Sequence, residues 1–139
     1  MSVYDDWYSE IEPKVYSIVK AKSLNKIKEK YPSANFTTTE ENVNSKTKFP
    51  TIYIYDMGGG GETGTDLERD RINGSIFTFQ VRITTNTSKQ DCRNVMNYII
   101  KAFKDISFEM VSFPNYTSMD GMHIGVARFR RKIDYNDII

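Results

Sequence analysis

The chain has 139 residues, the size of one domain, and its 19 basic and 18 acidic side chains give a net charge of +1. This balance gives no overall electrostatic reason for binding nucleic acid or a membrane surface, so such a role would need local patches. The single cysteine, Cys92, excludes an intrachain disulfide and a zinc site of several thiolates. An acidic N-terminus and the lack of a long apolar run predict a soluble protein that is not exported.

The N-terminal third of the chain predicts one helix and little else. Residues 1–12 are expected to form an N-terminal segment ahead of a helix from Pro13 to Lys30. Apolar residues before and after Ser23 fall on opposite helix faces, which predicts a bend or break near that serine. A short edge strand over 36–39 and a polar loop over 40–48 follow.

Two alternating strands enclose a long glycine-rich loop. Thr51 to Tyr55 and Ile76 to Thr84 alternate apolar and polar residues, and such consecutive strands usually pair antiparallel. Their connection of about 20 residues is far longer than a hairpin turn, and loops of that length are usually functional or disordered. Acids and bases alternate in it and would pair within the loop or with a neighbouring copy of the chain. The candidate interface residues are Met57, Gly58, Gly61, Asp66, Glu68, Arg69, Asp70 and Arg71.

The C-terminal half predicts a second helix and two more strands. Ser88 and Asp91 resemble a capping box, and an apolar stripe with helical spacing begins at Cys92 and continues to Phe103. The remaining segments are a strand over 108–113, a turn region over 116–121, a strand over 122–133 and a tail over 134–139. The whole chain, 1–139, is therefore expected to be one α+β domain: a mixed or mostly antiparallel sheet of four to five strands, with two helices packed on one face.

Enzyme chemistry finds little support in this sequence. The four consecutive glycines lack the lysine and hydroxyl of a phosphate-binding loop, and the acidic residues around them would repel phosphate. Asp66, Glu68 and Asp70 lack the glycine and glutamate that complete a calcium loop. His123 has no second histidine or neighbouring thiolate to form a metal site. We therefore expect a protein that is not an enzyme, with no catalytic, cofactor-binding or metal-binding residues.

One basic cluster stands out near the C-terminus. On a strand, Arg128, Arg130 and Lys132 would share one face, where they could contact the phosphates of a nucleic acid. Charges on an edge strand also prevent aggregation between sheets. An edge or protein-interface role is the favoured interpretation of these three residues.

Six segments of the chain carry a family resemblance. They are KFPTIYI (48–54), a loop that ends in DLE (66–68), NGSIFTFQV (73–81), VMNYII (95–100), FEM (108–110) and VARFRRKI (126–133). In sequence and in order they resemble the small tail terminator, or tail completion, proteins of tailed bacteriophages. The resemblance covers most of the chain from about Pro13, as a diffuse pattern without an invariant chemical motif.

The resemblance implies a structural virion protein at the head-proximal end of the tail, made in the host cytoplasm. Such a protein forms a ring, typically of six copies, on the tail tube, ends tube polymerisation and joins the tail to head connector proteins. DNA would pass through the lumen without sequence-specific binding. The implied fold is an α+β sheet with helices on one face and long loops that contact neighbouring subunits or the tube. A head-to-tail connector adaptor of the same particle and a small nucleic-acid-binding module remain alternatives.

Overall fold

Two helices and six strands make up the computed structural model, which describes residues 7–39, 47–58, 62–63 and 74–139. A 3-10 turn leads directly into the first helix, and the second helix lies between the fourth and fifth strands. In chain order the elements are the 3-10 turn (Trp7–Glu10), α1 (Ile11–Lys30), β1 (Asn35–Thr37), β2 (Thr51–Asp56), β3 (Glu62–Thr63), β4 (Gly74–Thr85), α2 (Lys89–Asp105), β5 (Glu109–Met119) and β6 (Met122–Asp134).

The strands form one mixed sheet in the order β1, β2, β4, β6, β5. Among the described strands, β1 and β2 run parallel and every other pair is antiparallel. The short β3 pairs with the first two residues of β4, on the same side as β2, because β6 occupies the other side of β4 along its whole length. The predicted α+β fold and the antiparallel pairing across the long loop are confirmed.

Helix α1 is a continuous helix, so the predicted break near Ser23 is wrong. Its buried residues recur every fourth position, and this spacing moves the buried stripe by about 40° per step around the helix. A slowly winding stripe therefore joins the two sets of apolar residues without a break. The Ser23 hydroxyl is buried within the stripe and donates to the carbonyl of Val19 at 2.6 Å. The buried residues are Ile11, Val15, Val19, Ser23 and Ile27.

Helix α2 begins where the sequence predicts. The Ser88 hydroxyl accepts a hydrogen bond from the backbone N–H of Asp91 at 3.0 Å, which satisfies one of the unpaired amides of the first turn. The apolar stripe faces the sheet, and its buried members are Cys92, Val95, Met96, Ile99, Ala102 and Phe103.

Four buried phenylalanines form the centre of the core between α2 and the sheet. Phe103 of α2 stacks on Phe129 of β6, with ring centroids 4.3 Å apart and an interplanar angle of 3°. Phe108 lies edge-on to both Phe103 and Phe79 of β4, at 5.3 Å and 5.7 Å. Aromatic pairs of this kind contribute about 0.5–1.5 kcal/mol each beyond the apolar area that they bury.

The C-terminal strands are longer than the sequence predicts. The expected turn region over 116–121 is wrong, because β5 continues to Met119 and the chain turns only at Asp120 and Gly121, both with positive φ. Pro114 does not end the strand. It lies in the region where the register between β5 and β6 shifts, on an edge strand, where a missing N–H is tolerated.

The C-terminal tail folds back against the domain. The Asp137 carboxylate accepts a hydrogen bond from the backbone N–H of Asp134 at 2.8 Å, and the Arg131 guanidinium lies 3.9 Å from the same carboxylate. Ile139 packs against the core, and it lines one cleft together with Trp7. The first and last described residues are therefore neighbours.

Candidate functional site

One face of the sheet carries no helix among the described residues, and we call it the open face. Successive side chains of a strand point to opposite faces of the sheet. In β4 and β6, buried residues such as Phe79 and Phe129 lie under the helices, and the polar residues between them lie on the open face. Strand pairing aligns these polar residues across β2, β4 and β6. The main members of the open face are Tyr53, Tyr55, Gln80, Arg82, Arg128, Arg130 and Lys132.

Gln80 connects three strands across the middle of this face. It lies opposite Tyr55 on one side and opposite Arg128 on the other. Its side-chain nitrogen donates to the Tyr55 hydroxyl, and its side-chain oxygen accepts from Nε of Arg128 at 2.9 Å. The glutamine therefore restrains the Arg128 guanidinium through its Nε atom.

An aromatic pair lies beside this hydrogen-bonded row. Tyr53 and Tyr55 stack with centroids 4.6 Å apart and an interplanar angle of 23°. The guanidinium of Arg82 lies 5.3 Å from the centroid of the Tyr53 ring, in cation–π geometry. Such a contact is worth about 0.5–1 kcal/mol at an exposed site and restrains the arginine.

Arg130 and Lys132 extend the cationic surface along β6. Nε of Arg130 lies 2.7 Å from a carboxylate oxygen of Glu109 on β5, and both side chains are exposed. An exposed ion pair contributes only about 0–1 kcal/mol to stability, because solvent screens the attraction between its two charges. Arg131 points to the other face, where it donates to the carbonyl of Ile106 at 2.9 Å.

The three basic residues singled out in the sequence thus share a face, but their strand is not an edge. β6 lies between β4 and β5 and is paired on both sides, so the expected edge position is wrong. Sequence reasoning also missed Arg82 and its neighbours. Arg82 falls at an outward position of the strongest alternating strand, but its proximity to the β6 cations depends on a strand register that the sequence does not reveal.

The outer edge of β5 is a second candidate surface. This strand pairs only with β6, and along its other side no strand is present in the described part of the chain. Three large apolar side chains on it are exposed: Val111 at 43%, Phe113 at 86% and Met119 at 70%. Apolar side chains on a free strand edge are typical of a surface that pairs with another chain.

The loop predicted to contact a neighbouring subunit is only partly described. The backbone N–H of Met57 donates to the carbonyl of Thr78 at 2.8 Å, and Gly58 has a φ of +68° with its N–H bonded to the Asp56 carboxylate. Met57 is exposed. The other candidate loop residues lie outside the described residues: Gly61, Asp66, Glu68, Arg69, Asp70 and Arg71.

Cys92 and His123, which the sequence offers as candidates for chemistry, both contact neighbouring residues of the fold. Cys92 is fully buried, as its position on the α2 stripe predicts, and burial raises its pKa to about 11. Gly125 allows this packing, since a Cβ there would lie 2.9 Å from the Cys92 sulfur. Nδ1 of His123 and the Ser118 hydroxyl are 2.8 Å apart across the β5–β6 hairpin.

No group of three or more His, Cys, Asp or Glu side chains among the described residues is arranged to hold a metal ion. None of the described helices is both long enough and apolar enough to cross a membrane.

No protein-family model matches this sequence, and a search of curated proteins found no match.

Proposed function

We propose that this protein is a structural component of a bacteriophage tail, a tail terminator that forms a ring on the end of the tail tube and joins it to the head connector. The observation that carries the proposal is the β5 edge, which has no partner strand among the described residues and exposes Val111, Phe113 and Met119. The α+β fold also agrees with the fold that the sequence resemblance implies.

A ring needs two different surfaces on each subunit. The sheet ends in β5 on one side and in β1 on the other, and these edges differ in length, polarity and exposure. A contact between unlike surfaces repeats head to tail and either closes into a ring or continues as a filament. The subunit therefore has the asymmetry that ring closure requires, with β5 as the apolar side of the contact.

The long loop after β2 is the second part of the proposal. Met57 leaves the sheet at the end of β2, and Gly58 turns the chain through a positive φ that other residues rarely adopt. The loop from Met57 to Asn73, with its alternating acids and bases, is proposed to contact the neighbouring subunit or the tube.

The decisive experiment compares tails made with and without this protein. A terminator limits tube growth, so its absence should give tails of variable and excessive length in electron micrographs. Tails of normal, fixed length in its absence would contradict the proposal. Normal tails that fail to join heads would instead support the alternative, a connector adaptor of the same particle.

A matched pair of variants tests the β5 edge itself. Phe113→Glu places a charge on the proposed contact, and Ile138→Glu places one on a side chain that is 92% exposed in the C-terminal tail. Both should fold normally, since both side chains are in solvent. We expect Phe113→Glu to abolish length control and ring formation and Ile138→Glu to preserve both; equal behaviour of the two variants would remove β5 from the interface.

A further inference from the structure

We propose that the open face of the sheet binds the phosphate backbone of duplex DNA without reading its sequence. The site comprises Arg82, Arg128, Arg130 and Lys132. It is separate from the β5 edge, so it stands whether or not that edge forms a ring.

Strand geometry arranges these cations as a row. Arg128, Arg130 and Lys132 occupy alternate positions of β6, which places successive side chains about 7 Å apart along the strand. Arg82 on β4 lies opposite Val126, diagonal to Arg128. Among the described residues of this face the carboxylates are Glu109 and Asp134, so the cations are in excess. A row of cations on a firm surface complements duplex DNA, which carries one negative charge per about 1.7 Å of its axis.

The arginines are positioned for phosphate before any ligand arrives. Arg128 is held through Nε by Gln80, and Arg130 through Nε by Glu109. A guanidinium has five N–H donors, and the terminal nitrogens carry the other four. Because the side chains are already restrained, less conformational entropy is lost when those donors bind phosphate oxygens.

The aromatic residues of the same face favour a duplex over a single strand. Proteins that bind single strands present open aromatic rings on which bases stack. Here Tyr53 stacks on Tyr55, and the Arg82 guanidinium lies over the Tyr53 ring. These rings support one another and the arginine, so the face offers cations and not base-stacking platforms.

The position of β6 within the sheet removes edge protection as an explanation for its charges. Cations on an edge strand prevent pairing with other sheets, but β6 is paired on both sides and has no edge to protect. An acidic protein surface is the other partner of matching charge, and the experiment separates it from DNA.

The test measures binding of a fluorescent duplex of mixed sequence by anisotropy, over a series of salt concentrations. The wild-type chain is compared with Arg128→Ala/Arg130→Ala/Lys132→Ala and with a control that removes the same charge from exposed positions of α1, Lys22→Ala/Lys26→Ala/Lys28→Ala. Each lost phosphate contact lowers the slope of log K against log salt by about 0.9, so the β6 variant should lose up to about 2.7. Its affinity at low salt should fall at least about tenfold and that of the control less than about threefold.

A charge-conserving variant distinguishes the loss of positive charge from misfolding of the variant protein. Arg128→Lys/Arg130→Lys keeps both charges but loses the Nε hydrogen bonds, so it should keep the wild-type salt slope and bind with an affinity between those of the wild type and the β6 variant. Four results would overturn the proposal: no duplex binding by the wild type at low salt, equal losses in the β6 and α1 variants, loss of binding in the charge-conserving variant, or binding of poly-glutamate in place of DNA. None of these results depends on tail length, so the two proposals can fail separately.

Discussion

Phe103 is the residue on which the core converges. Its ring stacks on Phe129, and its edges meet Phe79 and Phe108, all of them buried. The sequence places Phe103 on the buried stripe of α2 by its spacing. Its ring partners come from β4, from the segment just after α2 and from β6, and only the folded sheet brings them together.

Replacing Phe103 by Ala should destabilise the protein strongly. A buried Phe→Ala change removes apolar contacts and leaves a cavity, which costs about 3–5 kcal/mol of unfolding free energy. The same change at Phe113, which is 86% exposed, should alter it by no more than about 0.5 kcal/mol. Urea denaturation followed by circular dichroism measures both, and similar losses at the two positions would contradict the assignment of the core.

Sequence reasoning at this scale identifies residue types better than residue partners. It identifies Cys92 as a buried residue and places Arg128, Arg130 and Lys132 on one face, because both statements follow from helical or strand periodicity. The hydrogen bonds from Tyr55 through Gln80 to Arg128 cannot be predicted in this way, because they join residues on three strands whose register is set by long-range pairing.

At the scale of elements, one polar junction ties the end of α1 to the start of α2. The Tyr31 hydroxyl donates to the Asp91 carboxylate at 3.0 Å and accepts from the Asn94 amide at 3.2 Å. The Thr87 hydroxyl also donates to the Asp91 carboxylate, and this bond is the largest cause of the lowered pKa of Asp91. Burial opposes it by raising the pKa, and the bonds from Tyr31 and Ser88 lower the pKa further.

The lowered pKa of Asp91 predicts a pH-dependent effect of Asp91→Asn. Folding favours the charged carboxylate, so its contribution is complete above the ordinary pKa of 3.8 and is lost as the pH falls through the lower folded value. The variant should be less stable than wild type at pH 7, and the difference should shrink in strong acid. Urea denaturation of both proteins at several pH values measures it.

Asp105→Asn is a suitable control for that experiment. It removes the same charge from an exposed position on the last turn of α2, where Asp105 forms a loose ion pair with Lys101. Its effect at neutral pH should be small, as for most exposed pairs. A difference between Asp91→Asn and wild type that stays constant or grows toward acid pH would contradict the role assigned to Asp91.

Elements with a strong local pattern are predicted well, and those shaped by their surroundings are not. The start of α2 at Ser88 and the alternation of β4 are both local signals. The continuity of α1 follows from a buried stripe that winds around the helix and includes Ser23, whose hydroxyl bonds to the Val19 carbonyl; the apolar pattern alone does not show this polar member. The extension of β5 past Pro114 depends on its place at the sheet edge.

At the scale of the whole molecule, the sheet is firmest at its centre. β4 and β6 are hydrogen-bonded on both sides, and their inner residues are covered by α2. β1 and β5 are the two edges, and neither is paired on its outer side within the described residues. The sequence predicts the α+β class from the order of its elements, but not that its last strand lies inside the sheet, because an alternating strand looks the same at an edge and in the interior.

This arrangement predicts the pattern of amide hydrogen exchange. Backbone amides of 79–84 and 125–130 should exchange most slowly, since opening them requires loss of the core, and those of 111–119 should exchange much faster. Mass spectrometry of peptides from the isolated protein checks this order. If β5 forms the ring contact, its peptides should become protected on isolated tail tubes capped with the protein.

The closeness of Trp7 and Ile139, the first and last described residues, has a consequence for topology. Trp7 and Ile139 line one cleft, while Asp120 and Gly121 form a tight turn at an exposed corner of the β5–β6 hairpin. A circular permutant that begins at Gly121, ends at Asp120 and joins Ile139 to Trp7 by a short linker would keep every strand pairing described in the sheet. In such a chain β6 would be synthesised first and β5 last, so a normally folded permutant would show that the interior position of β6 does not depend on the order of synthesis.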